Sequence, residues 1–239
     1  MALIEIASLR KVYDIEGVES VAVQDISLTI DKGEFVAVMG PSGSGKSTLL
    51  HILGFLDRYT SGTYFFDGKE AATYTEEEMA KIRNQKMGFV FQSFNLLSRT
   101  SVLENVKLPL LYSNIPESKW NERARECIET VGLSHRSNHH PSQLSGGEKQ
   151  RAAIARALVT NPQVIFADEP TGNLDSKSGQ LVMETIQQLN EKMGHTIVLI
   201  THETYTAETA QRIIRLRDGL VESDERVASR RQAKEHFQK

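Results

Sequence analysis

The chain has 239 residues, 39% hydrophobic and 25% charged, with a net charge of -3. That composition builds a folded domain with a substantial core and gives no electrostatic case for nucleic acid as the main partner. A single cysteine, Cys127, excludes an internal disulfide framework and reads as a small core filler on a helix, while no run approaches the roughly 18 consecutive apolar residues of a membrane span.

The first thirty residues alternate, with Leu3, Ile4, Ile6, then Val21, Val23, Ile26, Leu28 and Ile30 as the apolar set. This predicts strands of an antiparallel sheet. Glu5 interrupts the apolar start and argues against a secretory signal. Residues 34–39 form a short apolar run opening into a glycine-rich loop, and 49–55 read as a helix. Strand, glycine loop, helix is the order a phosphate site requires. From about residue 88 to 157 the pattern turns helical. Trp120, Ala124, Ile128 and Val131 recur at helical spacing before Gly132, so Trp120 reads as core packing. Residues 164–167 and 196–200 are apolar without alternation, as expected of buried parallel strands. Ile213, Ile214 and Leu216 predict a further strand before the Asp218-Gly219 turn. Residues 223–239, mixed in charge and poor in apolar groups, read as a solvated helix or frayed tail.

The stretch Gly40-Pro41-Ser42-Gly43-Ser44-Gly45-Lys46-Ser47 matches G-x-x-x-x-G-K-[ST] at every fixed position. The glycines let the backbone curl so that N–H groups converge on phosphate oxygens, and the following helix adds its positive end. Gly40, Ser42, Gly43, Ser44, Gly45, Lys46, Ser47 and Thr48 are the candidate nucleotide-binding set. Lys46 would reach the β and γ phosphates, and the Ser47 hydroxyl would join Mg²⁺.

Residues 164–169 are an apolar strand ending in Asp168 and Glu169. Asp168 at the strand end suits a place on Mg²⁺, and Glu169, pointing differently, could accept a proton from an attacking water. Two acids after a strand also fit a solvated turn; beside the glycine loop the catalytic reading is the stronger. Leu144-Ser145-Gly146-Gly147-Glu148-Lys149-Gln150 opens a helix over about 150–159, ending before Pro162. The start of that helix and the Ser145 hydroxyl would make a second anion site, though a flexible loop capped by Ser145 fits the segment alone. Two distant half-sites for one triphosphate suggest two copies facing head to tail.

These motifs resemble the ATPase subunits of ABC transporters over nearly all of residues 1–222. The resemblance implies an α/β fold: a P-loop NTPase core with a mostly parallel sheet, an N-terminal antiparallel β subdomain, and a helical subdomain inserted at about 93–157. It makes 1–222 the ATPase domain and 223–239 a charged tail. By the same resemblance Gln92 joins core to lobe and senses Mg²⁺, Asp175 of Asn173-Leu174-Asp175 runs along the dimer seam, and His202 contacts the γ-phosphate. It also assigns Tyr13 to stacking on adenine. Ser145, Gly146, Gly147 and Glu148 become the signature that meets the partner's nucleotide. Lys46, Glu169 and His202 carry catalysis, with Ser47, Gln92 and Asp168 at the metal.

Leu53-Gly54-Phe55-Leu56-Asp57, Phe94-Asn95-Leu96-Leu97, Glu104-Asn105-Val106 and Glu169-Pro170-Thr171-Gly172 are similar to the macrolide-export and lipoprotein-release branch, whose ATPases drive force-relaying membrane subunits. Glu148 departs from the glutamine usual there. The implied partners are integral membrane subunits and a second copy of the chain, with no nucleic acid. The implied location is peripheral, on the cytoplasmic face of the membrane. Phe94, Leu96, Leu97 and Leu103 are candidates for a groove that takes a short helix of the membrane subunit, or else for the lobe's own core. A DNA-repair or chromosome-organising ATPase would need a long heptad coiled coil, absent between Lys46 and Ser145. A ribosome-acting relative would carry two ATPase halves. A conventional importer or cell-division ATPase stays open.

Overall fold

The computed structural model describes residues 1–234. Two long strands, β1 (Ala2–Ile15) and β2 (Val18–Asp31), pair antiparallel, and the chain then enters β3 (Phe35–Met39) and α1 (Lys46–Leu53). Strands β4 (Ser61–Phe66) and β5 (Lys69–Glu70) return to the first sheet, and α2 (Glu76–Lys86) leads into β6 (Met87–Phe91). A helical lobe follows, with α3 (Val102–Lys107), α4 (Trp120–Thr130) and α5 (Gly146–Leu158). The core resumes with β7 (Val164–Asp168), α6 (Ser176–Met193), β8 (Thr196–Thr201), α7 (Thr204–Ala207), β9 (Arg212–Arg217) and β10 (Leu220–Arg226).

The first sheet has the order β2-β1-β4-β5, and the second β10-β9-β3-β8-β7-β6. In the second, every pairing is parallel except β10 with β9. Its central strands divide their side chains between two cores. Phe35, Ala37 and Met39 enter the core shared with the helical lobe, while Val36 and Val38 enter the core against the antiparallel sheet. Ile165 and Ala167 alternate with Val164 and Phe166 in the same way. Burial on both faces is why these strands read as unbroken apolar runs. Fully buried Phe35, Tyr64, Phe66 and Phe166 contribute roughly 1.5–3 kcal/mol each through apolar burial.

Four sequence expectations need correction. Residues 87–91 are a strand, not the start of the helical region. Phe89 stacks on Phe166 of β7 at 5.5 Å, and a Cβ at Gly88 would sit 2.8 Å from the Ala157 carbonyl, so only glycine lets β6 approach α5. Helix α1 starts at Lys46 rather than 49, because Gly45 turns the chain with φ of 94°. Helix α5 starts at Gly146 rather than 150, because Ser145 and Glu148 form a capping box.

The tail is the fourth. Residues 220–226 form β10, so the boundary at 222 falls inside a strand. Beyond it Arg230 reaches the Thr209 carbonyl and Glu191, Arg231 pairs with Glu208 and lies over the Tyr205 ring, and Ala233 is buried. Charged residues read as solvated are thus paired against α6 and α7; residues 235–239 lie outside the described residues.

Trp120 packs on the lobe's core and donates its indole N–H to Ile115 O at 2.8 Å. Cys127 is half-buried, and burial pushes its thiol up to about 11, which suits a packing role over a reactive one.

Candidate active site

The site forms at the C-terminal ends of the parallel strands, where the loops leave the sheet. Strand β3 runs into the glycine loop. Gly40 sits where a Cβ would lie 2.2 Å from the Leu216 carbonyl, and at Gly45 a Cβ would lie 2.2 Å from Ala22 O. Glycine is therefore demanded by space as well as by backbone conformation. A cleft of about 640 Å³ opens there, lined by the loop, the start of α1, Ala22, Glu169 and His202. The first N–H groups of α1 have no partner within the helix and belong to residues lining this cleft. Lys46 is buried, its Nζ donating to Pro41 O at 2.7 Å. Burial lowers its pKa, opposed by Glu169 and Asp168.

Strand register sets the acids. Asp168 pairs with Ile200 on β8 and with Phe91 on β6, so Glu169, His202 and Gln92 all emerge just past neighbouring strand ends. Glu169 takes a left-handed φ of 44°, uncommon for a residue with a side chain and costing about 1 kcal/mol. That turn is held by Glu169 N–H on Ile200 O and Gly172 N–H on Glu169 O, both 3.0 Å. It splays the two acids: Asp168 stands beside Ser47, whose hydroxyl acts to lower its pKa, and Glu169 Oε1 lies 3.0 Å from His202 Nδ1. Burial, and then the charge of Glu169, raises the Asp168 pKa. Two repelling acids beside a hydroxyl form a hard oxygen set that fits a divalent cation. Among the described residues no group of three or more His, Cys, Asp or Glu could hold a metal, so such an ion would need further oxygens from a phosphate or water.

The signature lies elsewhere. None of Ser145, Gly146, Gly147 and Glu148 lines the cleft. Exposed Ser145 caps α5, its Oγ accepting from Glu148 N–H at 3.2 Å while Glu148 Oε2 accepts from Ser145 N–H at 2.8 Å. A Cβ at Gly147 would lie 2.8 Å from Ser178 Cβ, so α5 and α6 meet almost backbone to backbone at the signature. Asp175 is exposed and caps α6 through Ser178 N–H at 2.9 Å, which lowers its pKa.

Gln92 and Tyr13 do not line the cleft either. Gln92 is exposed, with its amide against Gly172 and its carbonyl accepting from Asn173. The Tyr13 hydroxyl donates to Asp57 at 2.7 Å, and Lys11 Nζ sits 4.5 Å from the ring centre. Sequence reasoning missed Ala22, which carries no motif, and gave no role to Gln150, the last residue of the Leu144–Gln150 stretch. Gln150 is fully buried and donates to Phe91 O and Pro170 O, tying α5 to the ends of β6 and β7.

Of the two readings left open for Phe94, Leu96, Leu97 and Leu103, a partner groove or the lobe's own core, the core reading holds for three. Leu103 is buried, Phe94 and Leu96 pack on the lobe's core, and only Leu97 is exposed. An apolar groove of about 660 Å³ lies instead between α2, β6 and residues 108–112, walled by Leu56, Met87, Phe89, Phe91, Leu108 and Tyr112. Residues 88–91 of β6, read as part of the helical region, supply part of this wall, which hid the groove.

A glycine loop, a split acid pair, a histidine on the second acid and a glycine-started helix on a separate lobe define an ATPase of the ABC class. Comparison agrees: the ABC transporter family matches residues 23–172, and the chain belongs to that family. It is 49% identical over 226 residues to a macrolide export ATP-binding/permease protein MacB of Syntrophobacter fumaroxidans, covering 94% of this chain and 32% of that protein. The chain thus spans about a third of the length of that relative. An ABC transporter ATP-binding protein of Thermotoga maritima is 48% identical over 94% of this chain and 95% of its own. A dimeric ATP-binding cassette, solved in a post-hydrolysis state bound to ADP and Pi, superposes with a TM-score of 0.86 at 43% identity, covering 95% of this chain and 99% of that one. The efflux-type relatives agree with the branch read from the sequence.

Proposed function

We propose that this chain is the ATP-hydrolysing subunit of a force-relaying efflux or lipoprotein-release transporter. In this reading it works as a head-to-tail dimer on the cytoplasmic face of the membrane. The observation that carries the dimer is the separation of the two half-sites: the cleft of one chain lacks the signature, and the signature of the same chain faces outward. Two copies related by a two-fold axis would complete each cleft with the other's Ser145–Glu148 segment.

Within such a site Lys46 turns from Pro41 O to the β and γ phosphates, and the α1 N–H groups hold the same oxygens. Ser47 and Asp168 would hold Mg²⁺, whose charge would offset that of the phosphates. Glu169 orients the attacking water and accepts its proton, and His202 keeps the Glu169 carboxylate aimed and contacts the γ-phosphate. Tyr13 supports adenine on the ring face away from Lys11, and Gln92 links the cleft to the lobe through the end of β6. Closure excludes water and lets fixed dipoles act where charge shifts during transfer.

No helix among the described residues is long and apolar enough to cross a membrane; in the proposed reading this chain docks on a membrane-embedded partner. The groove beside Phe89 and Tyr112 is shaped for a short amphipathic helix of that partner.

The test is Glu169→Gln. It should bind ATP normally, hydrolyse it roughly 10²–10⁴ times more slowly, and accumulate as a dimer with Mg·ATP in sedimentation. Normal turnover in a monomeric Glu169→Gln protein would remove the mechanism.

A further inference from the structure

We propose that Arg136 is a positioning residue for the signature, neutralising Glu148 so that a carboxylate can stand where a partner's triphosphate docks. This rests on the reading above, in which Ser145–Glu148 completes the other chain's site. Arg136 lies in the turn that follows α4, twelve residues before Glu148. Its Nε donates to Glu148 Oε1 at 2.9 Å, and its Nη1 stands 3.1 Å from His139 Nε2. The other Glu148 oxygen accepts from Ser145 N–H at 2.8 Å. One carboxylate therefore ties the signature serine on one side to a guanidinium on the other.

The charge is the reason this pairing matters. Glu148 replaces the neutral glutamine expected at this position, and a bare carboxylate there would repel a polyphosphate approaching the start of α5. The Glu148 side chain is 15% exposed, and the Ser145 hydrogen bonds and Arg136 lower its pKa and so help keep it ionised. Arg151, one turn along α5, is a second arginine whose charge is coupled to Glu148, but the hydrogen bond to the carboxylate comes from Arg136. Glutamine at 148 could keep the bond to Ser145 N–H through its amide oxygen and would need no countercharge. The demand for Arg136 is thus conditional on Glu148, which a merely structural arginine would not show.

The experiment uses the Glu169→Gln chain and measures its dimer dissociation constant at saturating Mg·ATP by sedimentation. Dimerisation of that parent checks the underlying reading by itself; if it stays monomeric, the reading fails and the inference falls with it. If the parent dimerises, adding Arg136→Gln should weaken the dimer about tenfold through the unpaired carboxylate, while monomer affinity for ATP stays unchanged. Adding Glu148→Gln to Arg136→Gln should restore dimerisation to within about twofold of Glu148→Gln alone. Arg136→Lys, which keeps the charge and perturbs the fold least, should stay within about threefold of the parent. An equal loss from Arg136→Gln with glutamate or glutamine at 148, no loss with glutamate, or a loss from Arg136→Lys as large as from Arg136→Gln would each overturn the proposal.

Discussion

His202 Nδ1 and Glu169 Oε1 lie 3.0 Å apart although 33 residues separate them. The contact is a product of sheet order: β7 and β8 are neighbours, Asp168 pairs with Ile200, and each residue stands just past its strand's end. The left-handed turn at Glu169 aims its carboxylate toward β8. His202→Ala should therefore slow hydrolysis about 10²-fold by freeing the Glu169 carboxylate, with ATP affinity within a few-fold of the parent. Single-turnover hydrolysis beside nucleotide titration separates the two; a large loss of affinity with unchanged turnover would contradict the role.

Gly147 and Ser178 hold the signature against α6. Gly147→Ala would bring a methyl to 2.8 Å from Ser178 Cβ, forcing α5 off α6. Overpacking of this kind costs about 1–3 kcal/mol. Thermal unfolding should report that loss, and ATPase activity should fall with it. Ser178→Gly in the same chain removes the opposing atoms and should recover much of both.

Asp168 gives a pH signature. Its pKa is raised by burial and by Glu169, so the folded state favours the protonated acid. Stability from this preference is fully present below the ordinary carboxylate range and is lost as pH rises through the raised value. Asp168→Asn lacks the loss. Its stability advantage over the parent should grow from acidic to neutral pH, while hydrolysis disappears. Denaturant titrations at several pH values check this; a constant difference would show that ionisation of Asp168 is not the cause.

Much of this was legible in the sequence because chemistry and geometry coincide locally. The loop at 40–47 needs its glycines, and Asp168 ends an apolar run because that run is an interior strand buried between β8 and β6. What was hidden depends on partners distant in sequence. Strand β6 looked helical because its five residues carry no turn signal, and its strand state comes from pairing with β7. The tail's arginines looked solvated because Glu191 and Glu208, which pair with them, lie on other elements. Glu148 read as a departure from the usual glutamine, whereas its two oxygens are held by Ser145 and by Arg136, which lies twelve residues upstream.

The central claim is that each ATP site is shared between two chains, and mixing two inactive variants tests it most directly. Lys46→Ala disables a chain's own phosphate loop, and Ser145→Arg disables the signature it offers its partner. Each alone should be inactive. In an equimolar mixture half the dimers pair the two variants, and one of their two sites is intact, so activity should reach about a quarter of the parent's. A mixture no more active than its two components would contradict the shared site.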